Sequence, residues 1–376
     1  MKNIRKNPDP ADTITMVHVE PDCLDLPVTR NILARAGDIP VEVISNEKGR
    51  IPLSGSFPYR LTQGKRHLLL TRNDGKFFKQ CPGTKEYICC DYQVINTGMN
   101  CPMDCVYCIL QAYLNNPYLS FFVNVEDMLQ EITEAFSRTP ERFWRIGTGE
   151  FTDSLALDRL TGLSKILVEY MRDKKSAVLE LKTKTTGIDN LAGLDHGGRT
   201  IVAWSLNSNA IVKREELRTA PLEERLAAAA RCASWGYRLA FHFDPIIFHP
   251  GWQKGYSETI DLLFATVPKE KIVWISMGCL RYLPALKNIA IQRFPNSSFF
   301  HEEFIEGLDG KARYFRTLRV EMYQHIYHHL LRKADPKTCI YLCMENNEIW
   351  QSVFGFIPME KGGLSRMLDE AVIQVG

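Results

Sequence analysis

Six short apolar runs recur along the chain: "YQVIN" (92–96), "FWRIG" (143–147), "AVLELKT" (177–183), "TIVAWSL" (200–206), "RLAFHFD" (238–244) and "KIVWISMG" (271–278). Their β-branched and aromatic content reads as buried strand. Segments such as "VEDMLQEITEAF", "LDRLTGLSKILVEYM", "LEERLAAAARCASW" and "ETIDLLFATV" lie between them and carry apolar residues at helical spacing. Parallel neighbours need a crossover of a dozen or more residues, usually a helix. Six strand-helix units in series therefore constrain the chain to an α/β fold with a parallel sheet covered by helices.

Polar or glycine-rich residues follow nearly every run at its C-terminal end. They are "GTGE" (147–150), "KTKTTG" (182–187), Ser205 and Asn207, "DP" (244–245) and "MGC" (277–279). Chemistry collects on that rim in parallel barrels, so a partial (β/α)6 barrel is expected over 91–295. Residues 1–90, rich in Pro, Gly and charge with β-like pieces such as "HLLLTR" (67–72), read as an N-terminal extension. The last stretch, 296–376, reads as mostly helical, with "CMENNEIWQSVFGF" (343–356) as a packing element or lid.

Lys plus Arg (46) nearly balances Asp plus Glu (44), so net charge neither announces nor excludes a nucleic-acid partner. The first residues lack the apolar core of a signal peptide, and no stretch approaches the ~18 uncharged apolar residues of a membrane span. A cytoplasmic protein with no membrane association is expected. In a reducing compartment its eleven cysteines are metal ligands, catalytic thiols or small buried residues rather than disulfides.

Three of them, Cys101, Cys105 and Cys108, follow the first strand in a Cys-x3-Cys-x2-Cys pattern. A four-iron cluster needs four ligands, and three close thiolates leave one iron open to a small chelating molecule. S-adenosylmethionine, with adjacent amino and carboxylate groups, suits that iron, and an electron from the cluster can cleave its sulfonium to a radical. The alternative is a structural zinc with a fourth ligand from Cys81, Cys89, Cys90 or a histidine, although zinc favours paired Cys-x2-Cys units. In that case the chain is a non-enzymatic iron-sulfur or zinc protein with a binding role.

The triad, with Tyr107 before its last cysteine, resembles the signature of the radical SAM superfamily. That likeness implies a [4Fe-4S] cluster on Cys101, Cys105 and Cys108, Tyr107 near the cofactor adenine, and "GTGE", with Gly147 and Gly149, near its amino group. "CPGTKEYICC" (81–90), "NCPMDCVYCILQAYLN" (100–115), "GTGEFTDSLALDRLTG" (147–162), "LKTKTTGIDNL" (181–191), "WSLNS" (204–208) and "HPGWQKGY" (249–256) narrow it to the spore photoproduct lyase family. By this resemblance Lys184 and Ser205 hold the cofactor carboxylate, with Thr152 and Asp244 close by. An ammonium and a hydroxyl on neighbouring rim strands suit one carboxylate. The resemblance also implies an electron donor such as flavodoxin or ferredoxin, and a DNA or nucleotide substrate in which a thymine dimer is split by a radical. Hydrogen is then returned through a cysteine assisted by a tyrosine. This chain has Glu150 and Ile109 at those two positions, and neither side chain is a hydrogen-atom donor. Either its substrate differs, or another thiol such as Cys279, after the sixth strand, supplies the hydrogen.

Other candidates are His242 and His249 beside the fifth strand's end, and a second metal on Cys81, Cys89 and Cys90. The basic segment "DGKARYFRTLR" (309–319) reads either as a nucleic-acid contact with Tyr314 and Phe315 between its cations or as a solvated helix face.

Overall fold

The structure, a computed structural model, describes residues 9–44, 51, 53–83 and 86–374. Seven strands, β1 (Gln93–Ile95), β2 (Trp144–Gly147), β3 (Ala177–Thr183), β4 (Thr200–Ser205), β5 (Arg238–Ile246), β6 (Ile272–Cys279) and β7 (Cys339–Leu342), form one parallel sheet in chain order. An eighth strand, Phe78–Gln80, pairs antiparallel with β1 at the far edge. The sheet curls into a half-barrel with its apolar strands buried on both faces, as parallel strands under helices require.

Each of the six expected runs is a strand. The seventh, "CIYL", lies in the segment expected to be mostly helical; four residues are too few to show a period. Helices α1 (Val125–Arg138), α2 (Leu163–Met171), α3 (Leu222–Ser234) and α4 (Trp252–Thr266) cover the outer face. In α1, Val125, Met128 and Ile132 are buried, the i, i+3, i+7 stripe of a helix packed on a sheet. The helix expected across 157–171 is split. Gly162 adopts a left-handed φ of 62°, and Asp158 accepts hydrogen bonds from the Ser164 amide (2.8 Å) and hydroxyl (2.6 Å), starting α2 anew.

The segment before residue 91 is more than an extension. Its strands Met16–Val19, Val41–Val43 and His67–Thr71 form a parallel sheet with Leu119–Phe122, and Gly98–Met99 adds to that sheet antiparallel. The last two strands come from beyond residue 91, while Phe78–Gln80 joins the barrel, so neither sheet stops at residue 90. Methionine 1 to residue 8, and residues 84–85 of "CPGTKEYICC", lie outside the described residues.

Helices α5 (Pro284–Arg293), α6 (Arg316–Leu331), α7 (Asn347–Phe354) and α8 (Leu364–Gln374) complete the C-terminal part. Helix α7 is a packing element, with Ile349 and Trp350 buried in the core. Between β6 and α6, Arg281–Tyr282, Ala312–Arg313 and Ile305–Glu306 form a small antiparallel sheet.

Glycine 147 ends β2 where the backbones crowd. A Cβ there would overlap the Tyr92 hydroxyl and stand 2.6 Å from the Glu180 carbonyl oxygen. Gly147→Ala is expected to lower stability by about 1–3 kcal/mol, the usual cost of overpacking. Thermal unfolding checks this against Gly149→Ala, whose new Cβ would be 3.1 Å or more from its neighbours.

Candidate functional site

A cavity of about 290 Å³ opens at the C-terminal ends of the strands. Cys101, Cys105 and Cys108 form one wall. Gly149, Glu150 and Thr152 reach it from the loop after β2, Lys182 and Lys184 from the end of β3, Ser205 from β4, and Asp244 from β5. Tyr107 and Ile109 also line it. Two expected residues do not. Gly147 is used in sheet packing, and Cys279 is buried behind the wall, its amide donating to the Tyr323 hydroxyl at 2.6 Å.

The cysteine loop is clamped from several sides. Asp104 receives Lys65 (3.0 Å) and Arg293 (2.9 Å) in a buried ion network. Burial opposes ionisation of Asp104, but the two cations hold its carboxyl below the usual range. The short strand Asp104–Cys105 pairs antiparallel with Glu216–Leu217. Gln111 donates to the Val106 carbonyl at 3.0 Å, and Asn100, at a left-handed φ of 71°, accepts from the Cys101 amide at 2.9 Å.

The donor set fits an iron-sulfur cluster. All three thiols are free and share one wall. Among the described residues no three His, Cys, Asp or Glu side chains converge as a single metal ion requires. Burial, with Asp153 adding, pushes the Cys101 thiol up to about 12, and burial also holds Cys105 well above its usual value despite Lys184. A cationic cluster would supply the positive charge these sulfurs lack.

Opposite the thiols, Tyr107 donates to Glu216, which pairs with Arg225 at 2.6 Å. Burial opposes ionisation of Glu216, yet Arg225 and Lys184 hold its carboxyl below its ordinary value. The Lys184 ammonium lies 6.0 Å from the Tyr107 ring centre. Asp153, which sequence reasoning missed, accepts from the amides of Leu155 (3.0 Å), Ala156 (2.9 Å) and Lys184 (2.9 Å) and from the Thr183 hydroxyl (2.8 Å). It binds the loop after β2 to the end of β3.

Lys182 and Arg281 also line the cavity and were not singled out from the sequence, as does Lys311 from the basic segment that was. A signal existed for Lys182: strand alternation puts it on the same face as Lys184. Arg281 faces Asp244 at 3.4 Å, and Gly278 makes room, since a Cβ there would meet the Asp244 carboxylate at 2.8 Å.

The remaining candidates are structural. His242 bridges Glu180 (2.8 Å) and Ser276 (2.7 Å), His249 bonds the Ser208 hydroxyl at 2.7 Å, and neither lines the cavity. The basic segment is divided: Lys311 lines the cavity and Arg316 opens α6 exposed, paired with Glu348, but its other two arginines are withdrawn. Its Arg313 is buried on Asp309 (2.6 Å), Arg319 is buried on Glu345 (3.0 Å), and Tyr314 is in the core. Cys89 and Cys90 are hydrogen-bonded to each other with Cys81 close by, and none of the three lines the cavity.

A family model described as spore photoproduct lyase matches residues 13–338. The chain belongs to that family. Its members are radical SAM lyases that use S-adenosylmethionine and a [4Fe-4S] cluster. The spore photoproduct lyase of Bacillus subtilis (strain 168) is 26% identical over 330 residues, 85% of this chain and 92% of the relative. That of Clostridium acetobutylicum is 23% identical over 311 residues, 82% of this chain and 88% of the relative. A solved spore photoproduct lyase complexed with dinucleoside spore photoproduct superposes with a TM-score of 0.78 at 22% identity, over 88% of this chain and 99% of that one. A mutant spore photoproduct lyase with bound AdoMet and the same dinucleoside gives 0.78 over 88% and 98%. The family fold is therefore the half-barrel seen here.

Beneath the cavity, Glu180 accepts from His242 at 2.8 Å, from Trp274 at 3.0 Å and from Tyr92. Burial opposes its ionisation, but His242 overcomes this and brings the carboxyl down to about 2. A carboxyl that titrates lower folded than unfolded stabilises the fold above its unfolded value near 4.5, and that contribution is lost as pH falls toward 2. At neutral pH it is on the order of 3 kcal/mol. Glu180→Gln should therefore have a lower melting temperature than the parent at pH 7, with the gap narrowing as pH falls from 5 to about 2. A pH series of melting temperatures for both proteins checks this.

Proposed function

We propose that this chain is a radical SAM lyase whose substrate is a pyrimidine lesion of DNA or a related dinucleotide, drawn into the cavity with its bases exposed. The observation that carries this reading is the meeting of three free thiols with Lys184, Ser205, Thr152 and Asp244 around one cavity at the strand ends. Its family membership and the dinucleoside bound to the solved relatives support it.

When bound and reduced, the cluster and S-adenosylmethionine supply a 5′-deoxyadenosyl radical able to remove a hydrogen atom. The protein's share is binding, orientation and exclusion of water. Cys101, Cys105 and Cys108 would hold three irons and leave the fourth open. The Lys184 ammonium and Ser205 hydroxyl would take the cofactor carboxylate, Gly149 and Thr152 its amino group, and Tyr107, fixed by Glu216, would sit against the adenine. Lys182, Arg281 and Lys311 leave cationic charge facing the open part of the cavity, where a dinucleotide phosphate would be attracted. Flavodoxin- or ferredoxin-type proteins fit as the electron source, and a cytoplasmic setting suits eleven free thiols.

Two outcomes follow. Alanine at Cys101, Cys105 or Cys108 should abolish iron binding and 5′-deoxyadenosine release, read by iron and sulfide assay and by chromatography. Lys184→Ala should keep the cluster's absorbance but bind S-adenosylmethionine more weakly by about 1.5–3 kcal/mol, the worth of one hydrogen bond to a charged group. Equilibrium binding to the reconstituted proteins measures it. The reading as a whole is tested by incubating reduced enzyme with a lesion dinucleotide. Release of 5′-deoxyadenosine together with lesion loss supports it, and cleavage indifferent to the lesion contradicts it.

A further inference from the structure

We propose that Cys343, on the seventh strand's rim, is the hydrogen-atom donor of this chain; the proposal rests on the function proposed above. Splitting a dimer by hydrogen abstraction leaves an unpaired electron on a product carbon, and that carbon must take a hydrogen atom from a weaker bond. Among common side chains a thiol S–H meets this need. Glu150, on the cavity wall, does not.

Strand polarity and burial sort the remaining thiols. Cys339 opens β7, at the end away from the cavity, whereas Cys343 comes just after the last residue of β7, at the rim. Its amide donates to the Met277 carbonyl of β6 at 2.8 Å. Cys23, Cys232 and Cys279 are buried in the core, but Cys343 is partly exposed. The Arg281 guanidinium stands 3.5 Å from its sulfur and reaches the Asp244 carboxylate at 3.4 and 3.5 Å. Cys343 does not itself line the cavity, but the Arg281 it contacts does, and so do Asp244, Lys182 and Glu150, the other charged groups acting on this thiol.

Two further thiols lie beside it. The segment 86–92, carrying Cys89 and Cys90, runs from the chain just after β7, where the Ile88 amide donates to the Glu345 carbonyl at 3.0 Å, to the start of β1, where the Tyr92 carbonyl accepts from the Cys81 amide at 2.8 Å. It straps the open seam of the half-barrel and brings Cys81 and Cys90 within electrostatic reach of Cys343. Protonation divides this group. A hydrogen bond between Cys89 and Cys90 lowers the first and, with burial, raises the second; burial raises Cys81 and Cys343 alike, so among these Cys343 is set apart by its contact with Arg281 at the rim. Arg281 therefore acts as a positioning residue, and burial outweighs its pull on the proton.

The step forms one C–H bond on the product and breaks the S–H bond of Cys343, leaving a sulfur-centred radical. One electron from the class of low-potential donor the cluster itself needs, and one proton from water, restore the thiol.

The test uses cluster-loaded enzyme in D2O with a dinucleoside thymine lesion, where exchanged thiols carry deuterium. The parent should place one deuterium in the product. Cys343→Ser keeps the size and the Arg281 contact but has a strong O–H bond; it should lose deuterium transfer by about tenfold or more. Cys279→Ser and Cys81→Ser should retain it. A second readout needs no turnover: Cys343→Trp should weaken dinucleoside binding about tenfold or more with cluster absorbance intact. Undiminished transfer in Cys343→Ser, its loss in Cys81→Ser instead, or normal dinucleoside affinity in Cys343→Trp would overturn the assignment. A parent that releases no 5′-deoxyadenosine would overturn the underlying reading and the proposal with it, which tells the two failures apart.

Discussion

A single buried carboxylate holds the half-barrel in shape. Glu180 of β3 accepts from His242 of β5, from Trp274 of β6 and from Tyr92 beside β1, so one side chain ties four staves across the lumen. An open curved sheet has no closing hydrogen bonds to fix its curvature, and this hub supplies a substitute. Its cost is the desolvation of a charge, offset because the carboxylate is bonded by several donors and His242 orders the network down to Ser276. The same crowding explains why only glycine fits at 147, where Tyr92 and the Glu180 carbonyl meet the end of β2.

From that floor upward, one face of β3 is a ladder of roles. Alternation places Glu180, Lys182 and, just past the strand, Lys184 on one side. Glu180 fixes the lumen, Lys182 faces the cavity with Glu150 and Asp244, and Lys184 reaches the cysteine wall near Tyr107. Burial alone would strip the proton from Lys182, yet the surrounding carboxylates, Glu150 first, hold its pKa above the usual value. It therefore stays cationic in a site read as receiving a phosphate-bearing substrate. Asp153 locks this ladder in register, since it grips the Lys184 amide and the Thr183 hydroxyl from the next loop.

How much of this was legible follows from which signals are local. The six parallel strands and their helices are periodic and apolar, and the cysteine spacing is short-range, so all were readable. The seventh strand is a four-residue run, and the N-terminal sheet is completed by Leu119–Phe122 from far along the chain. Non-local pairing leaves no mark in a window of residues. Gly162 was visible, but its left-handed break in the helix depends on Asp158 capping Ser164, which only geometry shows. In the site, Cys279 was placed by its position after a strand. The next residues, Leu280 and Arg281, line the cavity, while Cys279 itself turns toward Tyr323. The basic segment misled in part for a related reason: two of its three arginines, Arg313 and Arg319, are buried on Asp309 and Glu345, the latter outside the segment.

The open seam ties these observations together. A closed barrel would seal its lumen, whereas a half-barrel exposes the edge between its first and last strands. Here that edge is crossed by a strap of residues 86–92, pinned near β7 by Tyr87 under the Arg313 guanidinium (4.1 Å) and at β1 by the Tyr92 carbonyl accepting from the Cys81 amide (2.8 Å). The arginines withdrawn from the surface in the basic segment thus serve the strap and the core, and the cations left facing the cavity are those on the strand ends and Lys311. The cysteine loop needs no such closure. Lys65 and Arg293 reach Asp104 from the N-terminal part and from α5, so both flanking regions brace the thiol wall. The cationic strand ends and the thiol wall are consequently braced from different parts of the chain, joined at β3.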